Sequence, residues 1–377
     1  MNPANLPFDS DTMLQGLRAW VECESPTWDA GAVDRMLDLA AREMAIMGAT
    51  IERIVGRQGF AGCVRARFPH PKQGEPGILI AGHLDTVHPV GTLEKLSWRR
   101  EGNKCYGPGI FDMKANCALA LEVINSCVAL DLAPRRPVVL LLTCDEETGS
   151  LTGRSLVEEE ARKAHSVLVL EPSAAGGRVK TARKGTGIFT LEAEGIAAHA
   201  GLEPEKGASA ILELARQIER LHALNDMGRG VAVNVGVIQG GTRSNVVPAE
   251  ARAEIDVRFS TAEDARYLEE TILGARPFDA RVQLRLSGGI NRPPLVRTEK
   301  VAALYEVARS VAAQLDFDLG ETSVGGASDG NFAAALDVAV LDGLGVMGDG
   351  AHAMHEHILT EDITRRGALL TGIIASL

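Results

Sequence analysis

The sequence predicts an α/β protein with a mainly parallel mixed sheet, interrupted by an inserted α+β unit of ferredoxin-like plan. Three observations lead there. Short apolar runs such as Ile78-Leu79-Ile80-Ala81 and Val138-Val139-Leu140-Leu141-Leu142 have the pattern of parallel strands covered on both faces. Helical periodicities alternate with those runs up to about residue 175. Near Lys180 the rhythm changes to alternating, half-exposed strands before the α/β pattern resumes after Pro293-Pro294.

In chain order, the first helix read from spacing covers Asp29 to Met47, with Val33, Met36, Leu37, Ala40 and Met44 three or four residues apart and Gly48 closing it. The Ile78 strand follows, then an apolar helix from about Asn116 to Leu130, the Val138 strand, a helix near Thr152 to Ala164 and the strand Val167-Leu170. The inserted unit opens with the strand Thr186-Glu194 and the amphipathic helix Ala208-Leu221. The strands Val231-Ile238 and Ala251-Arg258, a helix near Ala262-Leu273 and the strand Arg281-Leu286 complete it. That order, β-α-β-β-α-β, is the split βαβ plan. Domain limits follow as 1–179 with 290–377 for the larger unit and 180–289 for the insert.

Bulk properties narrow the function. A chain of 377 residues exceeds what one hydrophobic core usually serves, which favours two domains. A net charge of −11 supplies no basic face for nucleic acid. The N-terminal segment Met1-Asp9 has neither a basic start nor an apolar stretch, so no signal peptide is expected, and no run reaches the ~18 apolar residues of a membrane span. Cys23, Cys63, Cys105, Cys117, Cys127 and Cys144 form no CxxC pair, which fits reduced thiols in a cytoplasmic protein.

Acids and histidines cluster where the apolar strands end: His83 with Asp85, Asp112 after Gly107-Pro108-Gly109, Glu146 with Glu147, Glu171 after Val169-Leu170, and His352. Sites at the carboxyl edge of an open α/β sheet are built this way. In extended chain His83 and Asp85 project to one side, so one can ligate a metal while the other orients it. Carboxylates gathered on one edge repel unless cations lie between them. Each piece has a plainer reading: a structural histidine, a solvated Glu-Glu pair, Asp112 as a helix N-cap, Glu171-Pro172 as a strand end.

Taken in order, the motifs HxD (His83, Asp85), FDMK (Phe111-Lys114), DEETGS (Asp145-Ser150), LEPS (Leu170-Ser173) and HxxxE (His352, Glu356) resemble the M20 family of dinuclear zinc peptidases and deacylases. The similarity covers nearly the whole chain, and Ala197-Ala198-His199-Ala200-Gly201 with Leu170-Glu171-Pro172-Ser173 is similar to the glutamate carboxypeptidase branch. The resemblance implies a zinc-peptidase-like catalytic domain and an inserted lid that also dimerises. It implies two Zn2+, with Co2+ or Mn2+ as substitutes: His83 and Glu171 on one, Glu147 and His352 on the other, Asp112 bridging through a cis Asp112-Met113 peptide. Asp85 would brace His83 and Glu146 would be the general base. His352 is preferred to His355 and His357 because Glu356 then falls four residues later.

In the insert, the resemblance implies that His199 donates to the scissile carbonyl in a partner's site, while Asn245 and Arg258 grip a substrate carboxylate. The planar fork of Arg suits that task. Gly326 and Ser328, in Gly325-Gly330, would line the substrate pocket; the same stretch formally matches GxSxG, which leaves a serine hydrolase as a remote alternative. The expected activity is therefore hydrolysis of an amide bond releasing a glutamate-type C-terminal residue from a small peptide or N-acyl amino acid. An N-deacylase of acetylornithine or succinyl-diaminopimelate type is the alternative.

Overall fold

The computed structural model describes residues 8–129 and 134–377, so the N-terminal reading of residues 1–7 and the expected helix end at Leu130 lie outside it. The described residues divide into two compact units, one of 8–129, 134–182, 296–324 and 328–377, the other of 183–295 and 325–327.

The larger unit is a mixed α/β structure. Its six-stranded sheet contains β1 (Thr50–Ile54), β2 (Cys63–Arg67), β3 (Gly77–His83), β4 (Val138–Thr143), β5 (Ala164–Val169) and the short strand Ala339–Leu341. The lateral order is β1, β2, β4, β3, β5, then Ala339–Leu341. Pairings among β4, β3, β5 and Ala339–Leu341 are parallel, whereas β1 with β2 and β2 with β4 are antiparallel. Ile78, Leu79, Ile80, Leu140, Leu141 and Leu142 are all buried, as strands covered on both faces require.

Helix α1 (Ser10–Glu22) was not evident from periodicity; Asp9 caps it, accepting from the Thr12 amide at 2.9 Å. In α2 (Ala30–Ile46), Asp29 accepts from the Ala32 amide, a cap of about 1 kcal/mol, and the apolar stripe from Val33 to Met44 is fully buried. The side chains of Val33, Met36, Leu37 and Met44 each contribute about 1.5–3 kcal/mol on leaving water.

A second sheet of four very short strands joins distant segments: Gly348–Asp349, His357–Leu359, Lys104–Tyr106 and Arg99–Glu101, in that order. It carries the C-terminal histidine loop alongside the residues that lead into Asp112.

The smaller unit holds an antiparallel sheet of β6 (Gly185–Glu194), β7 (Ala232–Gly240), β8 (Glu250–Phe259) and β9 (Gln283–Arg292), in the order β7, β8, β6, β9. This is the ferredoxin-like order. Helices α3 (Ala210–His222) and α4 (Ala262–Leu273) cover one face, where Phe189, Leu191, Leu214, Val257, Leu268 and Ile272 form the core. The unit ends later than the sequence implies, because β9 continues past Leu286 through Gly288 and Gly289 to Arg292. At Gly288, φ is +105° and an added Cβ would lie 2.2 Å from the Ile188 carbonyl oxygen, so the strands approach closely here.

Candidate metal centre

Strand register assembles the site. On β3, His83 is level with Thr143 at the end of β4, so Cys144 to Glu147 emerge beside it. Ala81 is level with Val169 of β5, and the Leu170 amide donates to the Ala81 carbonyl at 2.9 Å, which delivers Glu171 to the same edge. Asp112 and His352 arrive from outside the main sheet.

His83 is buried, and its Nδ1 lies 2.9 Å from the Asp85 main-chain oxygen. A nitrogen facing a carbonyl carries the proton, which leaves Nε2 with the lone pair in the neutral ring. That Nε2 faces Asp112 Oδ1 at 3.2 Å and Glu171 Oε1 at 3.8 Å. Across the site, His352 Nε2 lies 3.4 Å from Asp112 Oδ2 and 3.0 Å from Glu147 Oε2. Asp112 thus stands between two imidazoles, one on each oxygen, and the peptide that follows it is cis, as the resemblance implies.

Ligand-sized groupings form around His83, one with Asp112 and Glu147 and another with Glu146 and Glu171, each with donor atoms within 4.8 Å of one another. Glu147 Oε1 is buried with no hydrogen-bond partner. A buried carboxylate oxygen without a donor is costly unless a cation completes it. Two imidazole nitrogens and several carboxylates suit a borderline divalent ion such as zinc, so the residues present fit such an ion.

The electrostatics agree. Burial alone would raise the Asp112 carboxyl, but His352 and His83 hold it well below the ordinary carboxylate range. His83 is pulled down by burial and, more strongly, up by Asp112 and Asp85. Asp112 and then Glu147 raise His352 to about 10. Burial pushes Glu147 up.

Asp85 has more partners than its spacing suggests. Its Oδ1 lies 3.4 Å from His83 Nδ1, but its carboxylate also accepts from the Thr27 hydroxyl at 2.8 Å and from the amides of Glu146 and Glu147 at 3.2 Å each. It therefore fixes the turn bearing both glutamates, while its backbone oxygen orients the imidazole. Of the three C-terminal histidines, His352 alone faces this cluster among the described residues; His357 is buried, its Nδ1 2.8 Å from the His355 carbonyl and its ring 5.2 Å from Tyr106. A left-handed φ of +64° at His352, two residues after Gly350 at +79°, makes the tight turn that presents the ring.

Of the other residues named from sequence, His199, Asn245, Arg258 and Gly326 belong to the smaller unit. In the smaller unit His199 is exposed, its Nδ1 accepting from the Gly201 amide at 3.1 Å, and the Ala200 amide donates to the Asn245 carbonyl at 3.0 Å, so those two loops adjoin. Arg258 already holds a carboxylate: Nε and Nη2 each donate to Asp256 at 2.8 Å. The Gly326 carbonyl accepts from Arg183 at 3.1 Å. Ser328 departs from expectation. It is fully buried in the larger unit, donates to Asp342 Oδ2 at 2.6 Å and accepts from the Gly330 amide at 3.1 Å, so its hydroxyl anchors the loop and forms no exposed nucleophile elbow. The sequence reading missed Thr27, which gave no signal, and the part played by Glu356, which the HxxxE spacing had marked only as a reference point.

Residues 79–376 match the peptidase family M20/M25/M40. Carboxypeptidase G2 from Pseudomonas sp. (strain RS-16) is 29% identical over 98% of this chain and 90% of its own. A succinyl-diaminopimelate desuccinylase from Delftia acidovorans is 29% identical over 89% of this chain and 90% of its own. Among solved structures, aminopeptidase PepT from Bacillus cereus superposes with a TM-score of 0.80 at 21% identity, covering 97% of this chain and 98% of its own. An M20 metallo-carboxypeptidase from Sulfolobus solfataricus does so at 0.75 and 16%, covering 96% and 98%. No helix among the described residues is long and apolar enough to cross a membrane.

Proposed function

The chain belongs to peptidase family M20/M25/M40 and is a hydrolase acting on amide bonds, and we propose that it is a dinuclear zinc enzyme releasing a glutamate-type C-terminal residue from small peptides or N-acyl amino acids. The observation that carries this reading is Asp112 placed between His83 and His352, with Glu147 and Glu171 flanking the two imidazoles. His83 and Glu171 would hold one ion, Glu147 and His352 the other, and Asp112 both. When bound, the ions would polarise the scissile carbonyl and lower the pKa of the attacking water.

Glu146 takes the proton from that water and passes it to the leaving nitrogen. His199 donates to the carbonyl oxygen as charge develops there, acting in the site of a partner subunit. Asn245 and Arg258 receive the free carboxylate, for which Arg258 must exchange its Asp256 partner. Gly326 lines the pocket. The larger unit, read from sequence as 1–179 with 290–377, would be the catalytic domain and the smaller unit, read as 180–289, the lid, through which two subunits of this cytoplasmic enzyme would pair.

The second reading, an N-deacylase with the same centre, is supported by the likeness to a succinyl-diaminopimelate desuccinylase. A panel of α- and γ-linked glutamyl, N-acetyl and N-succinyl substrates, assayed with and without added zinc, separates the two. Release of free glutamate from the glutamyl substrates, abolished by chelator and untouched by a serine-directed phosphonate, is the expected result. Turnover of only the N-succinyl or N-acetyl substrates would establish the deacylase instead.

A further inference from the structure

Glu356 is fully buried, and its carboxylate is a junction. Oε1 accepts from the amides of Phe111 at 2.8 Å and Asp112 at 3.0 Å. Oε2 accepts from the Gly109 amide at 2.8 Å and lies 2.7 Å from His88 Nε2. Three of these donors belong to the turn that presents Asp112. The fourth, His88, is itself buried and comes from the loop leaving β3, five residues after His83. Glu356 in turn follows His352 by four residues. Three segments, each bearing one of the proposed ligands His83, Asp112 and His352, therefore meet at one carboxylate. Only His88 ties the β3 segment to it among the hydrogen bonds of the described residues.

We propose that His88 is a positioning residue of the hydrolytic site, its Nε2–H donating to Glu356 so that the His83 segment is held in register with the Asp112 turn and the His352 loop. The proposal rests on the reading of those three residues as metal ligands. A buried carboxylate keeps its geometry only while its donors stay in place. Removing a group that orients a metal ligand commonly weakens metal affinity ~10–100-fold.

The test compares wild type, His88→Gln and His88→Leu. Gln keeps an N–H donor at similar reach, whereas Leu fills the space without one. Zinc affinity is measured by competition with a chromophoric chelator, the visible spectrum of the cobalt-loaded protein reports ligand geometry, and thermal melts report the fold. His88→Leu is expected to bind zinc ~10–100-fold more weakly with an altered cobalt spectrum, and His88→Gln to stay close to wild type. Wild-type affinity and spectrum in His88→Leu would overturn the proposal. So would an equal loss in His88→Gln with an unchanged melt.

Should His88→Leu not fold, histidine-labelled NMR of the wild-type protein decides the matter. The His88 Nε2–H resonance, assigned by its absence from His88→Gln, is expected to move as zinc is added, and a stationary resonance overturns the proposal. A wild-type protein that binds no zinc removes the metal reading and this inference together, whereas a binding wild type with an indifferent His88→Leu removes this inference alone.

Discussion

His83 and Asp85 are joined through a main-chain atom: the imidazole Nδ1 lies 2.9 Å from the Asp85 carbonyl oxygen, closer than the 3.4 Å to the Asp85 carboxylate. The ring's orientation is therefore expected to survive loss of the Asp85 side chain, whereas the Thr27 hydroxyl and the amides of Glu146 and Glu147 would lose their common acceptor. Asp85→Ala is expected to lower activity about 10–100-fold through the disordered glutamate turn, with Asp85→Asn, which keeps one acceptor oxygen, falling between. Steady-state rates for both variants, beside their zinc content, check this; wild-type rates in Asp85→Ala would mean that the carboxylate does not brace the turn.

Zinc uptake should release protons. Asp112 and Glu147 raise His352 from the ordinary histidine value to about 10, so near neutral pH the metal-free ring is protonated and a metal must displace that proton. For a group raised in the folded state, the stability it contributes is fully present below its unfolded pKa and is lost as pH rises through the folded one. Protonated His352 therefore helps the metal-free protein below about pH 6.5, and this help fades towards pH 10. Zinc affinity should rise with pH across that window, and the gap in melting temperature between zinc-loaded and chelated protein should widen. Calorimetric titration at pH 7.5 in buffers of different ionisation enthalpy measures the released protons; none released would contradict the assignment of His352.

Much of this site could be read before the fold was known, for a physical reason. A parallel strand buried on both faces is a continuous apolar run, so its carboxyl end, and the polar residue just past it, is marked in the sequence; His83, Glu147 and Glu171 all follow such runs. Asp112 and His352 group with these strand ends in the sequence, but they follow no strand of the main sheet, and their roles as ligands rest on the family resemblance. The sheet that carries the His352 loop has strands of two or three residues, too short for any periodicity, so the meeting of His88, Glu356 and the Asp112 turn left no sequence trace. Arg258 shows the opposite case: its residue type suits carboxylate binding, yet in the structure the carboxylate it holds is Asp256.

Catalysis and metal binding separate at Glu146. Its carboxylate lies within 4.8 Å of ligand atoms of His83 and Glu171, close enough to serve as base or as ligand. Glu146→Gln preserves volume and removes the basic oxygen, so activity should fall by about 10²–10⁴ while metal content stays at the wild-type value. Metal analysis of the purified variant is decisive. If one equivalent of metal is lost, Glu146 and Glu147 exchange roles.

The final prediction concerns assembly. In the smaller unit β7 is the outer strand of its sheet, with Val237 and Ile238 exposed, and α3 beside it exposes Ile211 and Leu212. An unpaired edge flanked by apolar side chains invites pairing with a second copy, and a two-fold axis would satisfy both edges at once. In such a dimer His199 of one subunit would serve the metal centre of the other. Two inactive variants, His199→Ala and Glu146→Gln, are mixed under conditions that allow subunits to exchange. A mixed dimer then contains one site with both residues intact, so activity should return to as much as about half of the heterodimer's normal capacity, one working site of two. Exchange is verified independently with differently tagged subunits. If exchange is complete and no activity returns, His199 acts within its own subunit or not at all, and dimerisation through β7 is unnecessary for turnover.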